Sequence, residues 1–136
     1  MLEELLIYSD GGSRGNPGDA GIGIVISKTD GTILYEFKRY IGRKTNNQAE
    51  YTALIKALEM AKGYGAERVT CFMDSELVVK QLNGEYRVKN PTLKTMFQKV
   101  RALERGFEKV AYTYVPREND KIQIADRLVN EAIDGR

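Results

Sequence analysis

The chain has 136 residues, of which 42% are hydrophobic and 29% charged, and its net charge is +2. That length suits a single domain, 1–136, with enough apolar material for one real core and no need of a disulfide or metal staple. The charge balance is too weakly basic to announce a nucleic-acid binder. The absence of histidine excludes a histidine general base and any imidazole metal site, leaving carboxylates as the ligands for a hard cation.

The lone Cys71 sits in the apolar run Val69 to Met73 and reads as a small buried hydrophobe. With no disulfide framework, a reducing compartment is expected. No stretch approaches the roughly 18 apolar residues of a membrane span. The acidic start Met1-Leu2-Glu3-Glu4 is unlike a signal peptide. A cytoplasmic location is the expectation.

In chain order, Leu5 to Ser9 predicts a short apolar strand stopping at Asp10, followed by a glycine-rich turn from Gly11 to Gly18. Gly21 to Ser27 alternates small and β-branched residues, Asp30-Gly31 is a hairpin signal, and Thr32 to Ile41 is the return strand. Ala49, Ala53, Leu54, Ala57, Leu58 and Ala61 then recur at helical spacing, predicting a helix from Asn47 to Lys62 ended by Gly63 and Gly65. Val69 to Met73 is a buried strand, and Ser75 to Leu82 a helix stopped by Asn83-Gly84. Pro91 to Arg105 forms a further helix, with proline in its first turn and Gly106 past its end. Val110 to Val115 is the last strand, and Ala125, Leu128, Val129 and Ala132 mark a C-terminal helix. The order βββ-α-β-α-α-β-α implies an α/β fold: one mixed sheet with helices on both faces.

Four carboxylates stand out. Asp10 ends the first strand and Asp74 the fourth, while Glu50 heads the core-facing stripe of the first helix, where an unpaired charge is costly. Asp126 opens the last helix beside its apolar face. With the first and fourth strands adjacent, Asp10 and Asp74 share a sheet edge, and the helices bring Glu50 and Asp126 onto it. Each has a plainer reading: a turn opener for Asp10, an N-cap for Asp74-Ser75, a cap or surface position for Glu50, and macrodipole complementarity for Asp126. The weight lies in their joint placement.

The segments around them carry a resemblance. Tyr8-Ser9-Asp10-Gly11-Gly12-Ser13-Arg14-Gly15-Asn16-Pro17-Gly18, Thr45-Asn46-Asn47-Gln48-Ala49-Glu50-Tyr51, Asp74-Ser75-Glu76-Leu77-Val78-Val79 and Ala125-Asp126-Arg127-Leu128-Val129-Asn130 resemble, in order, the four signatures of type-one ribonuclease H. The resemblance implies a ribonuclease H-like fold with a five-stranded sheet, three strands antiparallel and then two parallel. It also implies an endonuclease that hydrolyses the RNA strand of RNA–DNA hybrids, leaving 5′-phosphate and 3′-hydroxyl ends. Two Mg²⁺ ions, with Mn²⁺ as the alternative, would sit roughly 4 Å apart. By analogy Asp10 bridges both ions, Asp74 holds the ion carrying the attacking water, and Glu50 and Asp126 complete the shells, Glu50 near a ribose hydroxyl. Residues matching Ser13, Gly15, Asn16, Asn46 and Glu76 lie along the RNA strand in the family, and Thr45 and Asn47 match a pocket for a phosphate of the DNA strand. Thr45-Asn46-Asn47 also reads as a helix cap. A monomer is expected.

Three departures qualify the resemblance. Gln81 to Asn90 is short and free of tryptophan where many bacterial members carry a basic protrusion, so the chain resembles the compact archaeal form and should bind substrate with strong salt dependence. The mobile histidine found before the last aspartate in many members is missing, with Arg117 or Glu118 as substitutes. Lys121 to Ile124 lengthens the spacer before Asp126, either as extra loop or as a backward extension of the last helix, and leaves Asp120 as an alternative ligand. Two other functions compete: a nuclease of the same superfamily acting on double-stranded RNA or in transposition, and a hybrid-binding module without catalysis.

Overall fold

The structure is a computed structural model that describes residues 3–136. Met1 and Leu2, part of the acidic start noted above, lie outside the described residues. Strands β1 (Glu4–Gly15), β2 (Gly18–Ser27) and β3 (Ile33–Lys44) are followed by α1 (Asn46–Gly63), β4 (Arg68–Met73), α2 (Glu76–Leu82), α3 (Pro91–Glu104), β5 (Lys109–Tyr114) and α4 (Asp120–Asp134). The sheet runs β3-β2-β1-β4-β5. β1–β2 and β2–β3 pair antiparallel, whereas β1–β4 and β4–β5 pair parallel.

Alternation along the strands sorts side chains to two cores. Leu5 and Ile7 of β1, Ile22, Ile24 and Ile26 of β2, and Val69, Cys71 and Met73 of β4 pack with α1 residues including Ala53, Leu54, Ala57 and Leu58. Burying each such isoleucine or leucine is worth about 1.5–3 kcal/mol. α3 covers α1 from outside, through buried Leu93 and Val100. On the opposite face Tyr8 and Val25 meet Ile122, Ala125 and Leu128 of α4.

The segment Gly21-Ile22-Gly23-Ile24 therefore has two functions. Its isoleucines fill the α1 core, and its glycines let the backbone of α4 rest on β2. A Cβ on Gly23 would run into the carbonyl of Ala125, and one on Gly21 would sit 2.9 Å from the Val129 carbonyl oxygen.

The expected elements are all present, with two corrections that matter for the site. β1 does not stop at Asp10: it continues through the glycines to Gly15, and the turn is confined to Asn16 and Pro17 between the paired residues Gly15 and Gly18. The backbone of α1 approaches Gly11 too closely for a side chain, while β2 supplies hydrogen-bond partners, so a strand persists where composition suggested a turn. Likewise, Asp126 does not open α4. The spacer Lys121 to Ile124 forms its first turn behind an Asn119 cap, whose Oδ1 accepts from the N–H groups of Lys121 and Ile122. Among the described residues, no helix is long and apolar enough to cross a membrane.

Candidate active site

Tyr8 and Phe72 are paired in the parallel β1–β4 ladder and their rings stack, with centroids 4.7 Å apart. Asp10 and Asp74 each lie two residues further on. Strand alternation therefore puts both carboxylates beside that stack, on the face covered by α4. Glu50 arrives from α1, on the other face. It reaches the sheet because Gly11 is bare: a Cβ there would strike the backbone of Ala49 and Glu50. The Gly11 N–H instead donates to Glu50 Oε1 at 2.6 Å.

Carboxylate oxygens of Asp10, Glu50 and Asp74 lie within 4.8 Å of one another. Asp126, in the second turn of α4, lines the same cleft of about 240 Å³ but stands outside that trio and is exposed. Asp120 does not line the cleft. The remaining lining comes from Gly11, Gly12, Asn46, Ser75 and Arg117.

Asp10 opens no turn, because it is inside β1. The cap of α2 is Ser75, whose Oγ accepts from the Val78 N–H at 3.3 Å, so the Asp74 carboxylate is left to the cleft. Glu50 is 4% exposed and caps nothing. Thr45 does cap α1: its hydroxyl accepts from the Gln48 N–H while the Gln48 side chain accepts from the Thr45 N–H.

Electrostatics records the crowding. Burial raises the Asp10 carboxyl above the usual carboxylate range, and the charges of Asp74 and Asp126 push it further. Burial also lifts Glu50 well above its ordinary value, reinforced by Asp10 and only partly countered by the Gly11 N–H. Asp74 is raised by burial, with Arg117 acting in the opposite sense. Such a cluster is relieved by protons or by a cation. Oxygen-only donors of this kind fit a hard divalent ion.

A second, polar pocket of about 390 Å³ adjoins the first through Asn46, and is lined also by Asn16, Thr45, Asn47, Gln48, Asn90 and Leu93. Its hydrogen bonds tie the β1–β2 hairpin to α1. The Ser13 N–H donates to Asn46 Oδ1 at 3.3 Å, and the Asn46 N–H to Asn16 Oδ1 at 3.0 Å. Gly15 has φ +107°, which glycine tolerates and which permits the tight turn beside Asn16. Glu76 does not join either pocket: it is exposed and pairs with Lys80 at 3.3 Å. Asn90, absent from the candidate residues above, lines this pocket. Its signal in the sequence is Asn90-Pro91, a cap followed by proline at the first helical position, and its side chain accepts from the Leu93 N–H.

A five-stranded mixed sheet with this strand order and an acidic cleft beside its two central parallel strands defines the ribonuclease H-like fold. Residues 8–132 match the protein family described as Reverse transcriptase-like. The chain is 46% identical to ribonuclease HI of Halobacterium salinarum over 93% of its own length and 63% of that protein's, and 46% identical to a bifunctional protein of Mycobacterium tuberculosis over 96% of its length but 36% of that protein's. It thus spans about a third of the mycobacterial relative.

Among solved structures, RNase H1 of Halobacterium salinarum superposes with TM-score 0.92 at 44% identity, covering 98% of this chain and 99% of that one. LC11-RNase H1, isolated from compost and solved in complex with an RNA/DNA hybrid, gives 0.91 at 48% identity, covering 96% and 97%. The chain belongs to the ribonuclease H family.

Proposed function

We propose that this chain is an endonuclease that hydrolyses the RNA strand of RNA–DNA hybrids, leaving 5′-phosphate and 3′-hydroxyl ends. The observation that carries the reading is the convergence of Asp10, Glu50 and Asp74 within 4.8 Å, in a family whose compost member is solved on an RNA/DNA hybrid. Asp10, Glu50, Asp74 and Asp126 would hold two divalent ions, Mg²⁺ or in its place Mn²⁺. When bound, the ions supply activation of water and charge stabilisation at the departing 3′ oxygen.

The chain's own groups set up that chemistry. Asp10 interacts with both Glu50 and Asp74, which suits a ligand shared by the two ions. The Gly11 N–H orients Glu50 and leaves its second oxygen to the cleft. Asn46 and Asn16 brace the hairpin that carries Ser13 and Gly15 along the cut strand, so amides and carboxamides can approach the 2′-hydroxyls that distinguish RNA from DNA. In the polar pocket the N-terminus of α1, with Thr45 and Asn47, suits a phosphate of the DNA strand. The Thr45 hydroxyl accepts from Gln48 and keeps its own proton to donate. Glu76 keeps its proposed place along the RNA strand only by leaving Lys80.

The test is cleavage of end-labelled hybrid, double-stranded RNA and DNA duplex with Mg²⁺, Mn²⁺ or EDTA. Metal-dependent cuts confined to the RNA strand of the hybrid are expected, with double-stranded RNA a weaker substrate. Asp10→Asn should abolish cleavage, and an unchanged rate would falsify the reading. The reading includes a cytoplasmic monomer, checked by fractionation and sedimentation.

A further inference from the structure

Glu50 and Tyr51 are neighbours on α1. Glu50 turns to Gly11 and the cleft, while Tyr51 is fully buried in the core that α1 covers. Its hydroxyl donates to Oε1 of Gln81 on α2 at 2.8 Å, and Gln81 is itself only 7% exposed. The rest of the buried face of α2 is apolar: Val78, Val79 and Leu82. A buried amide in such company costs free energy unless it is bonded, and the Tyr51 hydroxyl meets that need. Among the described residues, this is the one side-chain hydrogen bond that joins α1 to α2.

α2 follows Asp74 after a single residue, Ser75, and its seven residues span about 10 Å. Its far end is gripped by three elements. Besides Tyr51 of α1, Arg101 of α3 donates to the Leu82 carbonyl at 2.7 Å, and the Asn83 side chain donates to the Tyr112 carbonyl of β5 at 3.2 Å. Asp74 is thus placed between β4 on one side and a pinned helix on the other. Apolar contacts tolerate sliding, whereas a hydroxyl–amide bond has a defined length and direction.

We propose that Tyr51 and Gln81 are positioning residues for the cleft: their bond sets where α2 rests on α1, and so the spacing of Asp74 from Glu50. Neither residue lines the cleft itself. The inference rests on the reading of the cleft as a metal-dependent hydrolase. Three carboxylates within 4.8 Å repel one another before an ion arrives, and a brace between the two helices opposes that spread.

The experiment compares wild type, Tyr51→Phe, Gln81→Met, the double variant and Asp10→Asn, at a temperature where melts show each fully folded. Tyr51→Phe removes the hydroxyl and keeps the ring. Mg²⁺ binding is measured by calorimetry, amide signals by NMR in EDTA, and kcat and KM with RNA–DNA hybrid. Both single variants should bind Mg²⁺ about three- to tenfold more weakly, the equivalent of one net hydrogen bond. Their kcat should fall while KM for the hybrid stays within about twofold. The signal of Gly11, whose N–H donates to Glu50, should move with no metal present. The double variant separates positioning from packing: with both partners apolar it should recover the melting temperature but not the Mg²⁺ affinity. If affinity returns with the melting temperature, or if the single variants bind Mg²⁺ as wild type does, the proposal is overturned. An inactive Asp10→Asn then leaves the nuclease reading standing, whereas normal cleavage by Asp10→Asn removes the reading beneath both.

Discussion

Tyr8 and Phe72 lie ring on ring at 4.7 Å, with 16° between their planes, and the next residues on that face of their strands are Asp10 and Asp74. The stack lies one step before the acidic cleft on both strands. It ties the central strands together just below the point where like charges would push them apart.

Removing that stack should cost both stability and geometry. Phe72→Ala is expected to lose about 2–3 kcal/mol, the lower part of the range for a large aromatic because Phe72 is only partly buried. A urea titration measures the loss. At temperatures where the variant is fully folded, hybrid cleavage should still fall severalfold, because Asp74 loses its support. Phe72→Leu, which keeps most of the volume, should recover most of both.

The seating of α4 depends on Gly23. Since a Cβ there meets the Ala125 carbonyl, a backbone atom that cannot swing aside, Gly23→Ala should cost about 3 kcal/mol and displace Asp126 from the cleft. Gly63, at the end of α1, has open space around it and no positive φ. Gly63→Ala should stabilise the protein by about 0.5 kcal/mol. Paired denaturation curves check the contrast.

Stability of the metal-free protein should fall as pH rises. Asp10, Glu50 and Asp74 all have carboxyls raised above their ordinary values, so the folded state holds protons that the unfolded chain has released. The contribution of these groups is complete below the ordinary aspartate value of 3.8, and it is lost as pH rises through the raised values. Melting temperatures in EDTA across this window should decline, after allowance for the rest of the chain using Asp10→Asn, whose decline is shallower. Adding Mg²⁺ should raise the melting temperature more at higher pH, because the ion competes with protons for the same oxygens. An identical pH dependence in wild type and Asp10→Asn would sink this account.

The last helix offers two aspartates, and only one lines the cleft. Asp126→Asn should lower hybrid cleavage at least tenfold and weaken divalent-ion binding measured by calorimetry. Asp120→Asn, at the first position of α4 and away from the cleft, should stay within about twofold of wild type. The reverse pattern would make Asp120 the ligand.

Much of this molecule is visible in its linear order. The period of Ala49, Leu54, Ala57 and Leu58 gives α1, and Asp30-Gly31 marks the β2–β3 turn, where Gly31 has φ +94° and Asp30 Oδ1 accepts from the Thr32 N–H. Asp10, Glu50 and Asp74 are nominated by position and by flanking residues alike. The extent of β1 is not visible, because glycine is a turn former by composition and a strand residue only when a partner strand and closely docked helices hold it. The start of α4 is not visible either, since Lys121 to Ile124 permits extra loop or extra helix. Packing of Ile122 against Tyr8 and Val25 decides for helix.

What the amino-acid order determines by itself is therefore the set of elements, their sequence, and which acidic residues stand beside apolar stripes. These follow from periodicity and local backbone preference, which act over a few residues. What only the tertiary structure decides is that β1 and β4 are neighbours in parallel, so that Asp10 and Asp74 share a face beyond the Tyr8–Phe72 stack. It also decides that bare Gly11 admits Glu50 and that Arg117 lines the acidic cleft. These are consequences of strand pairing and close packing between segments up to 107 residues apart, from Asp10 to Arg117, and no local rule contains them.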